Sequence, residues 1–93
     1  MKLSDDILAE ISYVTISKNR TKVMKSLYNQ VKIPSKIAKD TGILTNHVSS
    51  LLGKLKQHGL VECINPEVRK GRLYRLTDKG EKVLENISSY DMR

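Results

Sequence analysis

The chain has 93 residues, of which 17 are lysine or arginine and 10 are acidic, giving a formal net charge of +7. A chain of this length forms one small domain, and its excess of positive charge favours a polyanionic partner. With 39% hydrophobic and 29% charged residues, the composition is typical of a folded soluble domain and excludes a disordered chain.

Membrane, secreted and metal-binding proteins carry features that this sequence lacks. The longest apolar run is Ile7-Leu8-Ala9, far below the roughly 20 residues that span a bilayer. Because the N-terminus runs into Asp5 and Asp6 rather than an apolar segment, we expect a cytoplasmic location and no membrane partner. The single cysteine and the two distant histidines do not match a zinc site, and no pattern of catalytic residues is evident. We therefore expect no metal, no cofactor and no enzyme activity.

The positive charge is concentrated in the middle of the chain. Residues 11–61 have a net charge of +8 and contain Asp40 as their only acid, whereas residues 1–10 have −2 and residues 77–93 have −1. A basic centre between mildly acidic ends fits a protein that presents one face to phosphate. The alternative is a solvated lysine-rich surface.

The N-terminal third of the chain predicts two amphipathic helical patterns with a polar break at residues 17–19, where they either join or kink. Ser4 is a suitable N-cap for the first helix. Its apolar residues recur at helical spacing: Ile7, Leu8, Ile11 and Val14. The second helix has its apolar stripe at Val23, Met24 and Leu27. Residues 31–33 then alternate as in a short strand.

Residues 34–58 predict two helices joined by a tight turn. Pro34 suits the first turn of a helix, and Gly42 suits the residue after its end, where a positive φ favours glycine. Thr45 is predicted to cap the second helix. The inward face of that helix is apolar: Val48, Leu51, Leu52 and Leu55.

The rest of the chain predicts a β-hairpin at about residues 60–76 and a terminal helix at about residues 78–90. The two strands flank a basic loop that contains Gly71. Either Thr77 or Asp78 caps the last helix, and Asp78 with Glu81 resembles a capping box. The apolar stripe of this helix is Val83, Leu84, Ile87 and Tyr90.

Three groups of residues are candidates for contact with double-stranded DNA. The outward face of the helix that begins at Thr45, including Thr45 itself, could enter a major groove, with Asn46 as the best candidate for pairing with adenine. Ser35 and Lys36 lie at a helix N-terminus, which favours phosphate. Cations of the hairpin loop could enter the minor groove or bind phosphate: Arg69, Lys70 and Arg72. The alternatives are a solvent-facing bundle helix and a solubilising loop.

Several segments resemble winged helix-turn-helix transcription regulators of the MarR-like and ArsR-like kind. The resemblance spans about residues 18–85, and its most specific parts are the Gly-Leu-Val start of a strand at 59–61 and the Leu-Thr-x-x-Gly start of a helix at 76–80. It implies a wing at residues 69–72 and homodimers on palindromic DNA. It also implies a recognition helix that contains Asn46, His47, Ser49, Ser50 and Lys54.

These observations together predict that residues 1–93 form a single α+β, mainly α, winged helix-turn-helix domain with additional terminal helices. We expect it to be a homodimeric regulator that binds a palindromic operator in double-stranded DNA. The apolar stripes of the first and last helices are candidate dimer surfaces, with packing inside one chain as an equal alternative. A protein-interaction module within a larger assembly is the alternative function.

Overall fold

The computed structural model describes the backbone of residues 4–91 and the side chains of residues 4–87. The elements are α1 (Asp5–Thr15), α2 (Lys18–Ser26), α3 (Pro34–Thr41), α4 (Thr45–Gln57), β1 (Val61–Cys63), β2 (Tyr74–Leu76) and α5 (Asp78–Asp91). Their order confirms the predicted mainly helical α+β fold, in which a β-hairpin follows a helix-turn-helix and further helices lie at both ends.

Serine side chains begin the first two helices. The Ser4 hydroxyl accepts a hydrogen bond from the Ile7 amide at 3.2 Å, which confirms the predicted cap of α1. Ser17 has an extended backbone, and its hydroxyl accepts from the Arg20 amide at 3.2 Å. Because Ser17 is a second N-cap, α1 and α2 are separate helices rather than one kinked helix.

The turn between α3 and α4 has the predicted glycine but a different cap. Gly42 ends α3 with φ of 77°, as expected for a left-handed residue. The N-cap of α4 is Leu44, so the prediction that Thr45 caps this helix is wrong. Thr45 is already helical, and its side chain therefore makes no capping hydrogen bond.

Residues 31–33 do not form the predicted strand. Lys32 alone pairs with Tyr74 of β2 as an isolated bridge, through two backbone hydrogen bonds of 3.1 and 2.9 Å. A longer pairing is prevented because Pro34 has no amide hydrogen and already begins α3. The bridge nevertheless ties the segment before α3 to the hairpin.

The hairpin is shorter than predicted but has the expected antiparallel pairing, with Val61 opposite Leu76. Beyond the strands, the Asn65 side chain spans the loop. Its Oδ1 accepts from the Leu73 amide at 2.7 Å, and its Nδ2 donates to the Gly71 carbonyl at 3.1 Å. This amide takes the place of further strand pairing at the base of the wing.

Thr77, rather than Asp78, caps α5. Its hydroxyl accepts from the Gly80 amide at 3.0 Å, and its carbonyl accepts from the Glu81 amide at 2.9 Å. The predicted capping box of Asp78 with Glu81 is therefore wrong. A capping box needs Glu or Gln at the third helical residue, and with Thr77 as the N-cap that residue is Gly80.

Apolar side chains from all five helices and both strands form one core. α2 lies at its centre and packs against α1, α3, α4 and α5. The four apolar residues predicted for the inner face of α4 are all buried. None of the described helices has the length and apolar content needed to cross a bilayer.

The two stripes predicted as dimer surfaces pack against each other, because α1 contacts α5. Five of their residues are buried within this chain: Ile7, Val14, Val83, Leu84 and Ile87. Intramolecular packing, the alternative considered above, is therefore present. Leu8 is 45% exposed and Ile11 is half-buried, so a contact with a second chain through these two remains a prediction. Tyr90 lies outside the described side chains.

Candidate nucleic-acid interface

The outer face of α4 is polar and open to solvent. Its four apolar residues point inward, so the helix is anchored from one side only. The residues predicted to contact DNA are all exposed: Thr45, Asn46, His47, Ser49, Ser50 and Lys54. α4 contains no acidic residue and has Lys54 and Lys56 in its last turn. This face can therefore approach a polyanion without charge repulsion from its own helix.

Asn46 makes a local hydrogen bond in this structure. Its Oδ1 accepts from the backbone amide of His47 at 3.0 Å. Pairing with adenine needs both the oxygen and the nitrogen of the amide. The Asn46 side chain must therefore exchange this bond for a bond to a base, at the cost of one exposed hydrogen bond.

The N-terminal turn of α3 presents Ser35 and Lys36, both exposed. The Lys36 ammonium donates to Asp40 Oδ1 at 2.9 Å, and Lys32, only 8% exposed, contacts Asp40 Oδ2 at 2.7 Å. Hydrogen bonds from Lys32 and then from Lys36 lower the pKa of Asp40 from its ordinary value of 3.8. The charge of Lys36 is thus shared with Asp40, which weakens its attraction for phosphate.

The lowered pKa of Asp40 predicts an acid dependence of stability. The charged carboxylate is favoured in the folded state, so its contribution is fully present above pH 3.8 and is lost as the pH falls through the lower folded-state value. We expect Asp40→Asn to be less stable than the parent at neutral pH and equally stable once Asp40 is protonated. Urea unfolding at a series of pH values measures the free energy of unfolding of both proteins. A difference between them that stays the same at every pH would contradict the prediction. Glu67→Gln in the exposed hairpin loop is the matched control.

The hairpin loop presents the three predicted cations to solvent, but they differ in their contacts. Arg72 Nε donates to the Val68 carbonyl at 2.7 Å across the loop, so part of this side chain holds the loop's shape. Gly71 beside it has φ of 74°. Arg69 and Lys70 are exposed at the tip. These two are therefore the better candidates for phosphate or the minor groove, with Arg72 also bracing the loop.

A cluster of charged and aromatic side chains lies at the far end of α4, and its pairing could not be predicted from the sequence. His58, the C-cap of α4, has its Nδ1 2.7 Å from Glu10 Oε1. Lys79 of α5 donates to Glu10 Oε2 and to the His58 carbonyl, both at 3.1 Å. The hydrogen bonds to Glu10 and then to Asp6 raise the pKa of Lys79 above 10.5. These contacts join α1, α4 and α5.

An aromatic stack completes this cluster. The Tyr13 and His58 rings are stacked, with centroids 3.7 Å apart and an interplanar angle of 12°. The Arg20 guanidinium lies 3.9 Å from the centre of the same Tyr13 ring. Two groups this close cannot share one ring face, so Tyr13 lies between His58 and Arg20. The residues that the structure describes include no group of three or more metal-binding side chains.

Solved structures with this fold include proteins of several regulator types. The homodimeric winged helix-turn-helix DNA-binding domain of a possible ArsR-family regulator from Mycobacterium bovis is 21% identical, with TM-score 0.76 over 97% of this chain and 88% of that one. A MarR family regulator from Neisseria meningitidis is 21% identical, with TM-score 0.74 over 90% of this chain and 61% of that one. A mutant of TubR, a protein of type III plasmid segregation, is 15% identical, with TM-score 0.80 over 100% of this chain and 98% of that one.

The matches differ in length and confirm the fold at low sequence identity. The chain spans 53% to 61% of the longer regulators to which it is similar. No curated protein sequence matches it. The family model for the winged helix-turn-helix, however, matches residues 21–92, from α2 to the end of α5. The chain therefore belongs to the winged helix-turn-helix family.

Proposed function

We propose that this protein is a sequence-specific double-stranded DNA-binding transcription regulator that inserts α4 into the major groove. The observation that carries the proposal is the exposed, acid-free polar face of α4 in a winged helix-turn-helix domain that also exposes a basic wing. A major groove about 12 Å wide accepts one α-helix. The four buried leucine and valine residues of α4 hold this helix on the core while its polar face stays available.

Each group of exposed residues has a separate part in this proposal. Asn46 pairs with adenine, while Ser49 and Ser50 bond to base edges or phosphates. His47 and Lys54 flank this face and contact phosphates, as does the α3 N-terminus at Ser35. The wing cations bind the minor groove or the phosphates on either side of it. Base preference therefore resides in α4 and general affinity in the charged flanks.

If the wing contacts phosphate, removal of a wing cation should make the affinity for DNA depend less on salt concentration. Each phosphate contact contributes about −0.9 to the slope of log affinity against log salt concentration. We expect Lys70→Ala to make that slope shallower by about one such contact and to weaken binding to all duplexes similarly. Fluorescence anisotropy with a labelled duplex at several salt concentrations measures both.

The matched control is Lys82→Ala, which removes the same charge from an exposed position of α5. This control should leave the slope near that of the parent. Equal slopes for all three proteins would show that Lys70 does not contact phosphate. Absence of duplex binding at low salt would contradict the proposal itself and favour the protein-interaction module.

The operator and the oligomeric state form the finer part of the proposal. A homodimeric neighbour of known structure supports a dimer, and a two-fold dimer requires a palindromic site. Selection of bound sequences from random duplexes tests this, since two inverted half-sites indicate a dimer and a single half-site contradicts it. A protein that acts on DNA must share its compartment, which we infer to be the cytoplasm.

Plasmid segregation is a second candidate function, favoured by one observation. The TubR structure, which belongs to type III plasmid segregation, matches this chain with TM-score 0.80 over 100% of this chain and 98% of that one. Mapping of bound sites in cells distinguishes the two. Sites upstream of transcribed genes support the regulator, and sites confined to a plasmid, with plasmid loss on deletion of the gene, support segregation.

A further inference from the structure

Leu44 is an apolar residue at the N-terminal end of α4, the helix whose polar face is proposed to contact DNA. It is the N-cap of this helix and is 75% exposed. Its carbonyl accepts from the Val48 amide at 2.9 Å, but its side chain makes no capping hydrogen bond. Ile43, the preceding residue, is 9% exposed and belongs to the core. The side chain of Leu44 therefore contributes little to the packing of the chain that carries it.

A leucine at this position also weakens the helix that follows. Serine, threonine, aspartate and asparagine are favoured at the N-cap because their oxygens bond to free amides of the first turn, and leucine is among the poorest residues there. Leu44 thus forgoes a cap without gaining burial. Single exposed leucines are common on protein surfaces, so its position beside the polar face of α4 is what gives it significance.

We infer that Leu44 contacts the C5-methyl group of a thymine in the major groove. This inference rests on the proposed function, in which the N-terminal residues of a recognition helix lie next to base edges. The thymine methyl is the apolar group that a major-groove base edge presents. Thr45, Asn46 and His47, which follow Leu44, are exposed and none of them is acidic, so they do not repel DNA. Leu44 then determines specificity for thymine beside the base that pairs with Asn46.

Charge favours DNA over an apolar protein partner as the group that covers Leu44. α4 adds Lys54 and Lys56 and has no acid, and the wing adds exposed Arg69 and Lys70. A continuous apolar patch would be expected for a protein partner, but the residues that follow Leu44 on the surface are polar. Leu44 is therefore an exposed apolar residue followed by exposed polar residues on a helix without acids, which suits contact with a single methyl group.

Replacement of thymine by deoxyuridine tests this, because it removes the C5-methyl and leaves the hydrogen-bonding groups of the base unchanged. With a duplex obtained by selection, each thymine is replaced in turn. The parent protein should lose about fourfold in affinity at one thymine of the site, the amount expected for one buried methyl group. Leu44→Ala should bind the thymine and deoxyuridine duplexes equally. Ile16→Ala, at an apolar residue that follows α1 and is 81% exposed, is the matched control and should keep the parent's preference.

A second variant separates loss of contact from loss of folding. Leu44→Ser supplies the missing cap, so it should unfold at the parent's temperature or above and still lose the preference for thymine. If the parent binds the selected duplex but no thymine replacement weakens it, the inference is wrong while the proposed function stands. Retention of the preference by both Leu44 variants would also overturn it. If the parent binds no duplex, the proposed function fails first.

Discussion

Replacing Gly80 with alanine should destabilise the protein by about 3 kcal/mol or more, because the added Cβ would overlap the backbone carbonyl of Leu60. Gly80 is buried in the first turn of α5, where the chain crosses the end of the α4 to β1 connection. The Thr77 amide donates to the same Leu60 carbonyl at 3.1 Å. The Leu60 carbonyl therefore cannot move away from a Cβ at position 80 without losing its hydrogen bond to Thr77.

The same substitution elsewhere in the chain should have the opposite effect. Gly53 lies within α4, and a Cβ added there meets no atom within 4 Å. Gly53→Ala should therefore stabilise the protein by about 0.5–1 kcal/mol through helix propensity. Urea unfolding of both variants measures the two free energies. Equal stability of Gly80→Ala and the parent would mean that the close approach of α5 to Leu60 is absent.

Gly80 also shows which parts of the fold could be predicted from the sequence. The capping residues Thr77 and Asp78 predict a helix start near residue 78, the Leu-Thr-x-x-Gly pattern there resembles winged helix-turn-helix regulators, and the structure supplies its reason. Thr77 bonds to the Gly80 amide, and glycine is needed because α5 lies directly against the Leu60 backbone. Local patterns of this kind, including the serine cap at Ser4 and the glycine at position 42, predicted most of the elements.

Competition between neighbouring segments could not be predicted in this way. Thr45 is a better capping residue than Leu44, but the path of the chain from Gly42 makes Leu44 the cap. Residues 31–33 alternate as a strand, yet Pro34 limits them to one bridge at Lys32. In both cases a neighbouring element overrode a local preference. The exposed DNA-facing residues followed from helical periodicity, whereas the contacts of Lys32 with Asp40 and of Arg72 with Val68 depended on the folded paths of the segment before α3 and of the hairpin loop.

Glu10 is the clearest case of a residue whose importance depends on distant partners. It is polar and lies on α1, yet it is only 7% exposed. His58, its partner, is 48 positions away in the sequence. In the tautomer that carries the hydrogen on Nδ1, the His58 ring donates to this carboxylate. Both oxygens of Glu10 are thus used, one by His58 and one by Lys79, and the end of α4 is held against α1 and α5.

Glu10→Gln should therefore cost about 2 kcal/mol, because a neutral amide replaces the charged carboxylate that accepts from the Lys79 ammonium in a poorly solvated site. For a domain of this size we expect the melting temperature to fall by about 8–15 °C. Glu62→Gln is the matched control, since the ion pair of Glu62 with Arg75 has both side chains well exposed, at 45% and 53%. Removal of that pair should change stability by about 0.5 kcal/mol or less. Equal losses in the two variants, measured by thermal and urea unfolding, would show that Glu10 does not hold α4 in place.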